Sequence, residues 1–285
     1  MNHLEANSIL THLQHGFRSG HSCETQLLTT LQDFTRNYDL NNQVDIAVLD
    51  FAKAFDTVPH DHLLGKLQHY GINNNMHTFL KGRTQDVVVD GVQSKSAAVK
   101  SGIPLLFLLY INDLPDCVSS QVRLLADDCL LYRTIRTAVD QSALQEDLKR
   151  LEQWCVKWGM RLNSSKCEVM SINRRRTRLL HSYTIGDDVL KEVKKAKYLG
   201  LTITDNLSWS THTAIVAGKA NAKIGFLWRN LRHCPRKLKD QAYFALVRSI
   251  VEYSAAVWDP HLQKDKQQLE RVQRRTARFV TGDTA

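Results

Sequence analysis

The stretch Leu124-Leu125-Ala126-Asp127-Asp128-Cys129-Leu130-Leu131-Tyr132 sets two adjacent carboxylates inside an otherwise apolar run. A short apolar run bounded by polar segments reads as a buried strand. Burying two like charges there is costly unless something compensates. At the turn of a β-hairpin both side chains can face one side, where a divalent cation would neutralise them. Taken alone, an Asp-Asp pair more often begins an exposed turn. A second apolar stretch ending in an acid, Val44-Asp45-Ile46-Ala47-Val48-Leu49-Asp50, points the other way. Two buried strands that each end in aspartate are what a two-metal phosphoryl-transfer site requires. The pattern predicts that Asp50 and Asp127 meet in space with Asp128 beside them. Asp45 is expected apart from them, near the exposed start of its strand.

A chain of 285 residues holds one large domain or two small ones. Its 38 basic and 29 acidic residues leave a net charge of +9, which suits a polyanionic partner, nucleic acid or an anionic membrane. The longest apolar run, Ile103 to Ile111, is too short to span a bilayer, so no membrane partner is expected. The six cysteines show no close pairing and no zinc spacing. With no signal peptide read at the start, they are expected as reduced thiols in an intracellular protein, nuclear or cytoplasmic.

Along the chain, Gln14-His15-Gly16-Phe17-Arg18 reads as a loop, either a plain turn or one that touches phosphate. Ser22 caps a helix whose stripe is Leu27, Leu28, Leu31, Phe34 and Tyr38. Pro59 opens another, with Leu63, Leu64 and Leu67 inward and Gly71 as its stop. His60, His62 and His69 are expected on the surface. Val87 to Val92 reads as a strand and a tight Asp90-Gly91 turn. Pro104 fits the first turn of a helix through Leu114. A long helix is predicted over Val139 to Trp158, burying Leu144, Leu148, Leu151, Cys155 and Trp158. Strands are predicted over Cys167 to Ile172 and Tyr198 to Ile203. Arg174, Arg175, Arg176 and Arg178 form a basic loop between those strands.

From about His212 the pattern is helical, with Leu238, Ala242, Leu246, Ile250, Tyr253 and Val257 on one face. The last helix carries Arg271, Arg274, Arg275 and Arg278 at three- and four-residue spacing, a face that either tracks a phosphate backbone or is simply solvated. The order of elements predicts an α+β fold, a sheet backed by helices, with a boundary near residues 204–212.

Together these stretches resemble the reverse transcriptases of non-LTR (LINE-type) retrotransposons. The resemblance rests on Gln14-His15-Gly16-Phe17-Arg18, Leu49-Asp50-Phe51-Ala52-Lys53-Ala54-Phe55-Asp56, Tyr110-Ile111-Asn112-Asp113-Leu114-Pro115 and Leu125-Ala126-Asp127-Asp128. Leu162-Asn163, Lys166-Cys167-Glu168 and Tyr198-Leu199-Gly200 continue it in the family's order.

The resemblance implies a polymerase right hand. Residues 1–205 would form partial fingers plus palm, the reverse transcriptase domain, and residues 206–285 a helical thumb. It implies an RNA-directed DNA polymerase that extends a DNA primer on an RNA template with deoxynucleoside triphosphates and Mg²⁺, Mn²⁺ being the alternative ion. Asp50, Asp127 and Asp128 would be the catalytic metal ligands. Phe51, Phe55 and Lys166 would meet the nucleotide, with Phe55 the aromatic that rejects a ribose 2′-hydroxyl. Arg18, Tyr198, Leu199, Gly200 and the four C-terminal arginines would meet nucleic acid.

Two departures from the family's pattern stand out. Leu105 follows Gly102-Ile103-Pro104 directly, where the family has a Gln-Gly and several small residues, and a shorter loss lies between Leu80 and Gly82. The family's N-terminal fingers and upstream endonuclease would lie outside these residues. A catalytically inactive nucleic-acid-binding relic of such an element is the alternative expectation.

Overall fold

The computed structural model describes residues 2–72, 80, 82, 84–99, 101, 106–174 and 177–282. Its central sheet holds β1 (Gln43–Leu49), β2 (Gln121–Leu125), β3 (Asp128–Ile135), β4 (Glu168–Ile172) and β5 (Lys191–Glu192), in the order β5-β4-β1-β3-β2. The middle strand, β1, runs antiparallel to β3 on one side and β4 on the other. Its backbone is therefore paired on both edges, and it is buried almost throughout, as its unbroken apolar run predicts.

Strand alternation sends side chains into two layers. Val44, Ile46, Leu130, Tyr132, Met170 and Ile172 pack with α1 (Cys23–Asp39). Ala47, Leu49, Cys129, Leu131 and Val169 pack with α2 (His60–His69) and α3 (Ala138–Lys157). This is the expected α+β sheet backed by helices.

The capping prediction holds for α1. The Ser22 hydroxyl accepts from the Thr25 N–H and the Thr25 hydroxyl from the Ser22 N–H. Leu27, Leu31 and Phe34 are buried, while Leu28 is exposed. Helix α3 buries Leu144, Leu148, Leu151 and Cys155 as expected, and Trp154 with them.

The structure corrects several expectations. Asp45 is 1 % exposed, not at an open strand end. Its carboxylate accepts from Gln43 Nε2 at 2.8 Å and from the Tyr183 hydroxyl at 2.6 Å, which satisfies the buried charge. His60 is buried, whereas His62 and His69 are exposed. Residues Gly102 to Leu105 lie outside the described residues, as do Lys81, Arg175 and Arg176. The helix expected through Leu114 is one turn, Phe107–Tyr110, followed by a 3₁₀ turn at Leu114–Cys117. Pro115 has no N–H with which to continue it.

The stretch Tyr198–Ile203 is a hairpin of β6 (Lys195–Tyr198) and β7 (Leu201–Thr204), not a single strand. Leu199 and Gly200 both have positive φ, the backbone of a two-residue hairpin turn. Beyond it, α4 (Ser210–Leu231) packs on α5 (Gln263–Thr281) around Ala217, Ala220, Ile224, Val272 and Phe279. The apolar stripe expected between them does not hold: Leu238, Leu246 and Tyr253 are exposed. A π-helical segment at Phe244–Arg248 shifts the helical phase, and Ser254, at φ +49°, ends the helix.

All six cysteines are free thiols. Among the described residues no helix is long and apolar enough to cross a membrane.

Helix α2 is tied to the Tyr110–Asp113 segment by a buried cation. Lys66 is 4 % exposed, and its Nζ donates to the Tyr110 carbonyl and to Asp113 Oδ1, each at 2.5 Å. The Trp158, Trp154 and Tyr110 ring centroids stand 3.7, 4.8 and 4.9 Å from it. Burial lowers the Lys66 pKa to about 8, against the opposing pull of Asp113. The unfolded chain therefore holds this proton over a pH range in which the folded chain has released it. The Lys66 contribution to stability should rise as pH climbs from about 8 toward 10.5. Urea midpoints of the wild type should gain on those of Lys66→Met across that window; a pH-independent difference would contradict it.

Candidate active site at the carboxylate hairpin

Strands β2 and β3 form a hairpin whose last pair is Leu125 with Asp128, leaving Ala126 and Asp127 as a two-residue turn. Ala126 has φ +54°. Such turns need positive φ at the first central position, normally met by Gly or Asn. For alanine this conformation costs roughly 1–2 kcal/mol. The turn's position in the sheet follows from register. The β1–β3 ladder ends with Leu49 opposite Cys129, so one step further sets Asp50 across from Asp128. Both belong to the alternate positions that face α1, and Asp127 adjoins them on the turn.

Electrostatics reports the same crowding. The Asp128 carboxyl is pushed above its ordinary pKa first by burial, then by Asp127 and then by Asp50, with Lys197 opposing. Lys166 Nζ stands 3.7 Å from Asp50 Oδ2, at 67 % and 44 % side-chain exposure, so this ion pair is weak and easily displaced.

Asp50 and Ala126 are each gripped through the backbone. The Asp50 carbonyl accepts from the Asn163 N–H at 2.8 Å, and the Asp50 N–H meets Cys167 Sγ at 3.5 Å. The Arg161 carbonyl accepts from the Ala52 N–H, and Phe51 bridges to Leu162. The Leu162-Asn163 and Lys166-Cys167 motifs thus fix the end of β1. On the other side, the Gln14 side chain holds Ala126.

Among the described residues no three acidic, His or Cys side chains converge closely enough to hold a metal ion as they stand. The donor set nevertheless fits a hard divalent cation. It consists of carboxylates on adjoining strand ends with pinned backbones, and their mutual repulsion is relieved by a cation.

The other side chains singled out from the sequence are placed as follows. Arg18 forms a two-point pair with Glu5, at 2.9 and 2.8 Å, and donates to the Thr11 carbonyl at 2.7 Å. It anchors its own loop. The Phe51 ring is buried in the core; Phe55 is half-buried, its ring centroid 4.9 Å from that of Phe107. Tyr198 is buried and accepts from Gln26 Nε2, and Leu199 is buried as well. The Leu199 carbonyl accepts from the Tyr253 hydroxyl at 3.0 Å. A Cβ on Gly200 would sit 2.9 Å from the Tyr253 ring, so glycine is required there for contact as well as for φ. Arg271, Arg274, Arg275 and Arg278 are all exposed, outside the buried stripe of Val272, Thr276 and Phe279, with Arg275 at its flank. Arg274 lies 3.4 Å from Glu270, and Arg275 bonds Asn221.

Sequence reasoning gave no individual role to Gln14, Asn112 or Lys197, and it placed Tyr253 on an apolar helix face rather than at the hairpin turn. Asn112 accepts from the Thr11 N–H and donates to the Ile9 carbonyl, each at 2.7 Å, and so seats the segment that carries Gln14. Only the motif membership of Gln14 and Asn112 could have flagged them, because their partners are distant in the chain.

Asp50 and Asp128 thus end two paired strands, with Asp127 on the adjoining turn and Lys166 beside Asp50. Residues 1–203 match the model of the reverse transcriptase (RNA-dependent DNA polymerase) family, and the chain belongs to that family. It is similar to the probable RNA-directed DNA polymerase from transposon X-element of Drosophila melanogaster, 25 % identical over 303 positions that cover 98 % of this chain and 33 % of the relative. It is similar also to the RNA-directed DNA polymerase from mobile element jockey of the same organism, 24 % identical over 94 % of this chain and 32 % of the relative. The chain thus spans about a third of these curated relatives (33 % and 32 %). Among solved structures, telomerase from Candida tropicalis in complex with an RNA fragment aligns with TM-score 0.48 and 12 % identity, over 99 % of this chain and 46 % of that one.

Proposed function

We propose that this chain is the polymerase portion of a non-LTR retrotransposon protein, extending a DNA primer on an RNA template by nucleotidyl transfer. The observation that carries the reading is the crowding of Asp128 by Asp127 and Asp50 at the ends of two paired strands. Asp50, Asp127 and Asp128 would hold Mg²⁺, or Mn²⁺ in its place. Bound there, the ions would activate the primer 3′-hydroxyl and neutralise the nucleotide's phosphates. Lys166, exposed beside Asp50, meets the leaving pyrophosphate. Phe55, seated on Phe107, presents its ring edge to the sugar and excludes a 2′-hydroxyl. Phe51 supports that platform from the core. The turn at Leu199 and Gly200, latched by Tyr253, offers backbone to the primer strand.

In this reading residues 1–205 are partial fingers and palm, and 206–285 the thumb. The direct test is primer extension by purified protein on an RNA template with deoxynucleoside triphosphates; no extension with Mg²⁺ or Mn²⁺ would count against it. One observation favours the alternative, an inactive nucleic-acid-binding relic. Leu105 follows Gly102-Ile103-Pro104 directly, where the resembled family carries a longer loop.

Both readings place nucleic acid along α5. Replacing Arg271, Arg274, Arg275 and Arg278 with Ala should weaken primer–template binding uniformly across sequences. It should also flatten the salt dependence by about one log-log unit per arginine that touches phosphate. Fluorescence anisotropy over a salt series reads this directly, and an unchanged slope would mean the face is only solvated.

A further inference from the structure

We propose that Gln14 is a positioning residue that sets the Ala126–Asp127 turn, and through it the Asp127 carboxylate, for catalysis; this rests on the polymerase reading above. Gln14 is 1 % exposed, and its whole amide is engaged. Oε1 accepts from the Ala126 N–H at 2.9 Å and from the Gly16 N–H at 2.7 Å, while Nε2 donates to the Ala126 carbonyl at 3.4 Å. A residue at the tip of a two-residue hairpin has no ladder partner, so one side chain supplies both the acceptor and the donor that the Ala126 backbone uses.

The surroundings are built for that grip. The Leu124 carbonyl accepts from the His15 N–H at 2.9 Å and the Leu13 carbonyl from the Leu124 N–H at 3.1 Å, so Leu13 to His15 run alongside β2 as a short parallel strand. A Cβ on Gly16 would stand 2.5 Å from the Ala126 nitrogen and 2.8 Å from Gln14 Oε1; only glycine admits the approach. Arg18 and Asn112 pin the same segment from behind. Ala126 itself sits at φ +54°, a conformation alanine leaves readily unless held. The residue after it is Asp127. A turn that relaxes would therefore swing that carboxylate away from Asp50, with no metal ligand removed.

The amide is the group this role needs. A carboxylate at position 14 accepts from both N–H groups but repels the Ala126 carbonyl and adds a charge beside three aspartates. A thioether of the same length offers neither bond. The test uses Gln14→Glu, Gln14→Met and, as a steric variant that keeps the amide, Gly16→Ala. Mn²⁺ alone is titrated into each folded protein and the free ion followed by EPR, with Asp127→Asn as the reference for loss of the site. Primer extension is measured in parallel, and circular dichroism with urea midpoints defines the folded fraction.

The expected result is an Mn²⁺ affinity lowered about tenfold or more in Gln14→Met and Gly16→Ala, while in Gln14→Glu the added negative charge offsets part of that loss. Where the wild type extends primers, kcat should fall at least as far while KM for primer–template stays put. A residue that only stabilises the fold would lower the urea midpoint and leave the Mn²⁺ affinity of folded molecules alone; that outcome overturns the proposal. If the wild type extends nothing, yet its Asp127-dependent Mn²⁺ site weakens in Gln14→Met, the positioning role stands and the polymerase reading falls.

Discussion

Asp127→Asn should abolish primer extension while leaving the fold at least as stable as the wild type, and Asp50→Asn should do the same. Each substitution keeps the size of the side chain and removes one negative charge. Stabilising charge at attacking and leaving oxygens is worth several kcal/mol, so a loss of about a thousandfold or more in kcat is expected. The sign of the stability effect is the more telling part. Without a cation, the Asp128 carboxyl is held above its ordinary pKa in part by Asp127 and Asp50. Removing either charge relaxes that repulsion, so urea midpoints in chelator should stay level or rise. Added Mn²⁺ should raise the wild-type midpoint and not the variant's. A variant that retains a tenth of wild-type extension, or that loses stability in chelator, would show that these acids are structural.

The parts of this site legible in the sequence are those that local rules govern. Apolar runs that end in acids announce β1 and the β2–β3 hairpin because strand burial tolerates no uncompensated charge. The stripes of α1 and α3 announce themselves at helical spacing. Asp45 misleads because its rescue is tertiary: the Tyr183 hydroxyl that satisfies it lies 138 residues away. Arg18 meets the same limit: the sequence leaves its loop open between a plain turn and a phosphate contact, and only the fold brings Glu5 to its guanidinium. The stripe from Leu238 to Val257 fails for a different reason. It assumes an unbroken α-helical period, and neither the π segment at Phe244–Arg248 nor the left-handed Ser254 follows that period. Phe51 and Tyr198 belong to matching motifs, but a motif names positions and not directions, and both rings point into the core.

Restoring a family-like loop between Pro104 and Leu105 should raise primer extension about a hundredfold. In the family this chain resembles, that loop packs under the incoming nucleotide, between the two aspartate motifs. Here Leu105 follows Pro104 directly. Both flanks of the junction are anchored: Ser101 bridges to Pro59 at the start of α2, and Leu106 and Phe107 are buried in the main core. Phe107 is also the ring on which Phe55 rests. The loop's loss removes no metal ligand, so Asp50, Asp127 and Asp128 keep their register and the arginine face of α5 is untouched. On the polymerase reading, what goes is the surface that would align the nucleotide with the primer end, and a misplacement of about 1 Å can cost about a hundredfold in rate. The chain as it stands should accordingly bind primer–template with ordinary salt dependence and extend it poorly. Steady-state extension by the unrestored and restored proteins, with Asp127→Asn as the blank, separates alignment from ion binding. Robust extension by the unrestored chain, abolished by Asp127→Asn, would mean that the remaining pocket aligns the nucleotide without the loop.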